Sequence, residues 1–314
     1  MKIALTTELP REGFKRLVER GIDDWPLVNG QCATLEWKEA EVLVSTFDRP
    51  VTRELIVSMP HLRLIANFGA GYNNIDLEAC RERGIRVTNT PQPVIEPTAE
   101  LAFALMIDVA RRVSEFDRAL RQGTCQPMAV MNNLSHSLYG KTLGILGMGR
   151  IGQALARRAK ASGMNIIYYN RHPLSADIET RYDARYVDFQ TLLQDSDFLS
   201  LNLPYTPQVH HIIGKPELGM MKRSAYLINT ARGAHVDEAA LVEALQSGII
   251  AGAALDVYEF EPTISKALLT LPNVVLSPHT GTGTMEGRLA MCENVCDNIL
   301  AFLSNRPEDM NLVL

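Results

Sequence analysis

At 314 residues the chain is long enough for two domains, each with a core of its own. It is 46% hydrophobic and 21% charged with a net charge of −5, and this mild acidity argues against nucleic acid or an anionic membrane as the main partner. No apolar run approaches the ~20 residues of a membrane helix, and MKIALTTELP reads as a first strand and not a signal peptide, so the expected compartment is the cytosol. The five cysteines (Cys32, Cys80, Cys125, Cys292, Cys296) form no CxxC and read as reduced, buried thiols, and the seven histidines show no metal-ligand spacing.

Strand and helix alternate from the start. Lys2–Thr6 reads as a strand, Pro10–Arg20 as a helix stopped by Gly21, and 21–37 has no readable pattern. Val42–Thr46 is a strand, Thr52–Ser58 a short helix, and Leu62–Ala66 a strand that runs into Asn67-Phe68-Gly69-Ala70-Gly71-Tyr72. Asp76 is placed to cap a helix through Arg83, which Gly84 ends before the strand Arg86–Thr88. This is the pattern of a small parallel α/β domain, with its glycine-flanked loop beyond the carboxyl end of a strand, where such sheets bind ligands. Pro91, Pro93 and Pro97 then crowd a stretch read as a non-helical hinge, and Thr98 opens one long helical pattern to about Gly123. Gln126–Ser137 carries apolar side chains in a polar loop, a candidate arm toward a second copy of the chain.

Lys141–Arg171 is the most informative stretch. The apolar run Leu143–Leu146 enters Gly147, Gly149 and Gly152 at G-x-G-x-x-G spacing, Ile151–Ala161 continues at helical period, and Gly163 precedes a second apolar run, Asn165–Tyr169. A βαβ unit with those glycines suits a dinucleotide. The first permits the tight turn, the second lets backbone approach the pyrophosphate, and the third lets helix pack on strand. The helix N-terminus supplies N–H groups and a positive dipole end. At the tip of the second strand, where an NAD binder needs a carboxylate for the ribose, stand Asn170 and Arg171. Asn170 has no charge to repel a 2′-phosphate, and Arg171 offers it a charged fork, unless it is an ordinary solvated arginine. NADP(H) is the expected cofactor, with NAD(H) the alternative.

Beyond this unit the alternation resumes. Tyr186–Val187, Phe198–Leu201, Ala225–Asn229, Gly252–Leu255 and Val274–Leu276 read as strands, Asp188 and Asp237 as helix caps, and Thr284–Ser304 as a last helix that returns to the first domain. The expected fold is α/β, with two Rossmann-like or flavodoxin-like parallel-sheet domains. Residues 98–283 would form the dinucleotide-binding domain, inserted into a substrate-binding domain of 1–97 plus 284–314. Three successive strands end in Arg232, in Asp256 with Glu261 five residues on, and in His279. In a doubly wound sheet these ends share one edge. A cation for a substrate carboxylate, an imidazolium to protonate a ketone oxygen, and a carboxylate that favours the charged imidazole make up the polar inventory of a carbonyl reductase. The other histidines (His61, His136, His172, His210, His211, His235) read as loop or surface residues.

The segments NFGAGYNNID (67–76), VTNTP (87–91), TAELAFALM (98–106), LGMGRIG (146–152), LPYTP (203–207), LINTARG (227–233), LDVYEFEP (255–262) and SPHTG (277–281) together resemble the D-isomer-specific 2-hydroxyacid dehydrogenase family over nearly the whole chain. The resemblance implies that Arg232 binds the substrate carboxylate or carbonyl, that His279 is the acid/base, and that Glu261 sets the charge of that histidine. It implies that the Ala70 and Gly71 amides hold the carboxylate and that Asp256 anchors the nicotinamide carboxamide. Thr98, Arg150, Ile151, Thr206 and Ala231 would line the cofactor site. It further implies a homodimer through the cofactor domains and catalysis between the two domains of one chain. VTNTP followed by TAELAFALM is most similar to glyoxylate/hydroxypyruvate reductases, and Asn170-Arg171 resembles their NADP-using branch. Pro97, and PHTG in place of PHIG, depart from the pattern near the nicotinamide. The implied reaction reduces a small 2-oxo acid to the D-2-hydroxy acid. The rival expectation is a nicotinamide-sensing corepressor, as some relatives of the family are.

Overall fold

A computed structural model describes residues 1–28, 35–128 and 130–314, so Cys32 lies outside the described residues. The chain divides into two compact units, Met1–Val94 with Thr282–Leu314, and Ile95–Gly281.

The first unit is a parallel sheet of β1 (Ile3–Leu5), β2 (Val42–Thr46), β3 (Leu64–Phe68) and β4 (Arg86–Thr88), in that spatial order. Ile3 pairs with Val42, Val42 with Leu64, and Leu64 with Arg86. A parallel bridge between Leu5 and Leu27 extends the sheet past β1, which gives the flavodoxin-like order. β1, β2 and β3 are buried at every position, which is why they read as unbroken apolar runs. Thr52 and Asp76 cap their helices by accepting from the Leu55 and Ala79 N–H groups at 3.3 and 2.8 Å. The segment read as a helix over 10–20 is a 3-10 turn, Arg11–Phe14, followed by the short helix Lys15–Val18. It lies against the C-terminal helix so closely that a Cβ on Gly13 would stand 2.1 Å from that of Cys292. That last helix, Met285–Leu303, is capped by Thr284 and buries Cys292, Val295, Cys296 and Ile299 at helical spacing.

The second unit is a seven-stranded parallel sheet of β5 (Thr142–Leu146), β6 (Asn165–Tyr169), β7 (Ala184–Tyr186), β8 (Phe198–Leu201), β9 (Tyr226–Asn229), β10 (Gly252–Leu255) and β11 (Val274–Leu276). Their order is β11-β10-β9-β8-β5-β6-β7. Strand residues alternate between two cores. Phe198, Tyr226, Ile228 and Ala254 pack with the helices Ile95–Arg111 and Arg150–Ala161. Leu199, Leu227, Ala253 and Leu255 pack with Leu192, Leu218 and Leu241 on the opposite face. The chain winds outward in both directions from the β5/β8 junction. That is the topological switch point at which sheets of this class bind ligands.

Two expectations need correction here. The helix starts at Ile95, so Pro97 lies inside it, in the first turn, where a missing N–H costs nothing. The long helical pattern is also broken, into Ile95–Arg111 and Val113–Arg121, because Arg112 adopts the left-handed conformation at φ 57°. The Asp108 carboxylate accepts from the Ser114 N–H at 2.7 Å and stabilises the new start. Three short helices, Ala176–Tyr182, Lys215–Met220 and Lys266–Thr270, had no counterpart in the sequence reading. Cys80, Cys292 and Cys296 are buried free thiols, while Cys125 is half-buried. Burial pushes the Cys80 thiol up to about 11 and that of Cys292 to about 12. Among the described residues no helix is long and apolar enough to cross a membrane.

Candidate active site

β5 ends in the glycine turn at the switch point. Gly147 has φ 93°, and a Cβ there would meet the Leu203 backbone nitrogen, on the β8 loop, at 2.8 Å. A Cβ on Gly152 would approach the Gly147 carbonyl oxygen to 2.7 Å, the close helix–strand packing expected of the third glycine. Beside Gly149, by contrast, there is open space. The helix Arg150–Ala161 begins with no side-chain cap and no acidic residue in its first turn. Open space beside a glycine and an uncapped helix N-terminus fit the pyrophosphate of a dinucleotide. Arg150 is exposed, Ile151 is half-buried, and Thr206 is exposed on the loop after β8. Asn170 Oδ1 accepts from the Met148 N–H at 2.7 Å, so Asn170 braces the glycine turn as well as ending β6. Arg171 is exposed and makes no hydrogen bond or ion pair with any described residue.

Arg232, Asp256, Glu261 and His279 meet at the carboxyl edge of β9, β10 and β11. Asn229, the last residue of β9, accepts from the Ala231 N–H at 3.0 Å and donates to the Arg232 carbonyl at 2.9 Å, which folds the chain back at Arg232. Gly233 then lies flush on the segment after β10, for a Cβ there would fall 1.9 Å from the Tyr258 carbonyl carbon. Only glycine permits that approach, and it brings Arg232 beside Glu261. Burial lowers the Arg232 guanidinium from its ordinary value while Glu261 opposes the change, and an arginine keeps its charge in either case. Asp256, 1% exposed, accepts from the Thr280 N–H at 2.7 Å and the Gly281 N–H at 2.8 Å. His279, at φ 54°, donates its own N–H to the Asp256 carbonyl at 2.8 Å. Asp256 thus fastens the histidine loop to the end of β10. Thr98 is buried on the first helix of the unit, 3.5 Å from where a Cβ of Gly281 would stand, and Ala231 is half-buried.

His279 Nδ1 lies 2.9 Å from Glu261 Oε2, while Glu261 Oε1 accepts from the Tyr258 N–H at 2.9 Å. Burial alone would raise the Glu261 carboxyl. The His279 hydrogen bond and charge, the Tyr258 N–H and Arg232 outweigh it, and the net shift is downward. Glu261 is held as a carboxylate facing an imidazole.

Ala70 and Gly71 lie in the first unit, on the loop after β3. The Asn67 amide donates to the Gly69 and Gly71 carbonyls at 3.1 and 2.9 Å, and the Asn89 amide to the Ala70 carbonyl at 2.8 Å. The carbonyls are drawn to side chains, and the N–H groups of the half-buried Ala70 and Gly71 make no hydrogen bond with any described residue. That is the form of an anion-binding turn.

The sequence reading missed the braces Asn67, Asn89 and Asn229, and named Asn170 only for the ribose and not for its bond to the glycine turn. Their signal is an asparagine within a residue of the end of an apolar strand, where its short amide can bond the turn that follows. His235, expected in a loop or at the surface, is fully buried, and neither ring nitrogen makes a well-formed hydrogen bond with a described residue, the Pro204 and Arg232 backbones being its nearest polar neighbours. Burial, helped by the charge of Arg232, pushes its pKa down to about 4 and keeps the ring neutral.

Comparison with known proteins agrees with the two parallel-sheet units. The family described as D-isomer specific 2-hydroxyacid dehydrogenase, NAD binding domain, matches residues 103–281. A glyoxylate reductase of Thermococcus litoralis is 46% identical over 310 residues, covering 96% of this chain and 93% of that protein. Among solved structures, a glyoxylate reductase from Paecilomyes thermophila is 38% identical with a TM-score of 0.86, covering 96% of this chain and 94% of that one. An NADPH-dependent glyoxylate/hydroxypyruvate reductase from Sinorhizobium meliloti, in complex with NADP and malonate, is 33% identical with a TM-score of 0.86, covering 96% and 93%. The corepressor alternative finds no support among these relatives. With its two parallel-sheet units, its glycine turn and the histidine–carboxylate pair at the sheet edge, the chain belongs to the D-isomer specific 2-hydroxyacid dehydrogenase family and is an oxidoreductase with a nicotinamide cofactor.

Proposed function

We propose that the protein reduces a small 2-oxo acid, glyoxylate, hydroxypyruvate or a close relative, to the D-2-hydroxy acid, with NADPH preferred over NADH. The observation that carries this reading is His279 Nδ1 at 2.9 Å from a carboxylate held ionised, at the same sheet edge as Arg232. A bound nicotinamide supplies the hydride. Arg232 holds the substrate carboxylate or carbonyl, and in the first unit the Ala70 and Gly71 N–H groups are donors suited to a carboxylate. Because Glu261 occupies Nδ1, the proton reaches the substrate oxygen from His279 Nε2. Charge on the imidazole is balanced by Glu261 as the proton leaves and returns. Gly147, Gly149, Gly152, Arg150 and Ile151 would receive the pyrophosphate. Thr98, Thr206, Ala231 and Asp256 would line the nicotinamide end, with Asn170 and Arg171 at the ribose. Support for NADPH comes from the uncharged Asn170, the exposed, unpaired Arg171, and the NADP bound in the Sinorhizobium relative. The two units would act as substrate-binding and dinucleotide-binding domains, in a cytosolic homodimer.

Initial rates with glyoxylate, hydroxypyruvate and phenylpyruvate, each with NADPH and with NADH, test the proposal. Turnover of a 2-oxo acid with a clear NADPH preference is expected. NADH preference would make Arg171 a bystander, and failure of every acid would overturn the assigned reaction.

A further inference from the structure

A second group of polar side chains converges on the loops after β8 and β10. His210 and His211 follow the 3-10 turn Pro207–Val209, and Glu259 stands two residues before Glu261. One ring nitrogen of each histidine and a carboxylate oxygen of Glu259 lie within 4.8 Å of one another. The two imidazoles stack with centroids 3.9 Å apart, and His211 Nε2 is 2.6 Å from Glu259 Oε1.

We propose that His210, His211 and Glu259 bind one divalent transition cation of the zinc type. The argument starts with the donor set. Two imidazoles and one carboxylate are borderline ligands that suit zinc, cobalt or nickel, and three protein ligands leave a coordination position for water. Bonds of about 2.0–2.2 Å at tetrahedral angles put donor atoms roughly 3.4 Å apart, inside the 4.8 Å that encloses the three donors here.

The surroundings hold these donors in place. The Glu259 side chain is 11% exposed, its second oxygen accepts from the Glu238 N–H at 3.1 Å, and its own N–H donates to Glu238 Oε2 at 3.2 Å. Each carboxylate thus accepts from the other residue's backbone N–H, which fixes the Glu259 side chain in direction. The backbone of His211, at φ 50°, is pinned by its N–H to the Ala234 carbonyl at 2.9 Å. The Tyr205 hydroxyl, 3.2 Å from His210 Nδ1, orients the other ring. Outer-shell bonds of this kind are what fix metal-binding imidazoles and carboxylates in direction. His210 is exposed, so an ion can enter without a change of fold. The bound cation would cross-link the loop after β8 to the segment that carries Glu261. Nothing in this proposal depends on the reductase reading.

The test uses the whole chain, stripped of metal with a chelator. Zinc is titrated calorimetrically and cobalt by visible absorption. One equivalent of each should bind, with the intense visible bands of four- or five-coordinate cobalt. Removing an outer-shell partner costs about 10- to 100-fold in metal affinity, so His211→Ala and Glu259→Gln should each lose at least that much. His210→Ala, at an exposed position, should do the same and keeps the test readable if Glu259→Gln fails to fold. The proposal is overturned if wild-type binding does not saturate by millimolar zinc. It is equally overturned if cobalt keeps the weak spectrum of the aquo ion, or if the variants bind as wild type does.

Discussion

A carboxylate 2.9 Å from an imidazole can be structural or can govern a reaction, and the Glu261–His279 pair separates the two by its pH dependence. Glu261→Gln keeps the shape and removes the charge. Reduction should slow by roughly 100-fold, and any fall in rate on the acid side that comes from protonating Glu261, whose carboxyl is held below its ordinary value, should disappear with the amide. A pH–rate profile unchanged on that side would make the pair structural. His235 is the opposite case, an imidazole kept neutral by burial. With a folded pKa of about 4 against the ordinary 6.5, the unfolded chain takes up the proton first. The associated stability is fully present above about pH 6.5 and is lost as pH falls toward 4. The 2.5-unit difference (6.5 − 4) corresponds to about 3 kcal/mol. Denaturant unfolding of His235→Leu should lose correspondingly less stability across that range than wild type. Its stability near neutral pH should change little, because a buried ring without well-formed hydrogen bonds gives way to an apolar side chain. An identical acid dependence in the two proteins would refute the assignment.

Single elements decide whether these residues meet at all. Gly233 lets the turn after β9 rest on the Tyr258 backbone, and Gly233→Ala places a Cβ 1.9 Å from a carbonyl carbon. That overpacking should cost about 3 kcal/mol, read as a lower melting temperature, together with a loss of turnover as Arg232 is displaced. Normal stability and turnover would show that the contact relaxes freely. What could be read in the sequence follows the same scale. The strands with unbroken apolar runs, the glycine turn, and the caps at Asp76, Asp188 and Asp237 were legible because each depends on residues within one turn of the chain. The ends of β9, β10 and β11 could be brought together because a parallel sheet puts its carboxyl ends on one edge. The break at Arg112 was hidden, since Arg112 is an ordinary helix former and its left-handed turn rests on Asp108 accepting from Ser114. The burial of His235 was hidden as well, because polar chemistry argues for the surface and only tertiary packing overrides it. Glu259 could not be linked to His210 and His211, which lie 48 residues earlier in the case of His211.

For the whole molecule, the question is what covers the arm. Met128 is 97% exposed, Val130 88%, Met131 77% and Leu134 60%, with residue 129 outside the described residues. Apolar side chains this exposed in one short loop suit a second copy of the chain. Each one buried contributes about 1.5–3 kcal/mol. Met128→Ser with Met131→Ser should therefore weaken the proposed homodimer by roughly 100-fold or more, seen in sedimentation equilibrium as a shift toward monomer relative to wild type. A double variant that sediments as wild type would refute this loop as a contact between copies. The thiols carry a different consequence. Cys80, Cys292 and Cys296 all lie in the first unit, shielded from solvent, with their pKa values raised by burial. A thiol reagent can reach them only when that half of the chain opens. Their labelling rate is a built-in clock for the breathing of one unit, silent about the other, and its slowing on addition of a 2-oxo acid or of NADPH would report whether that ligand steadies the first unit.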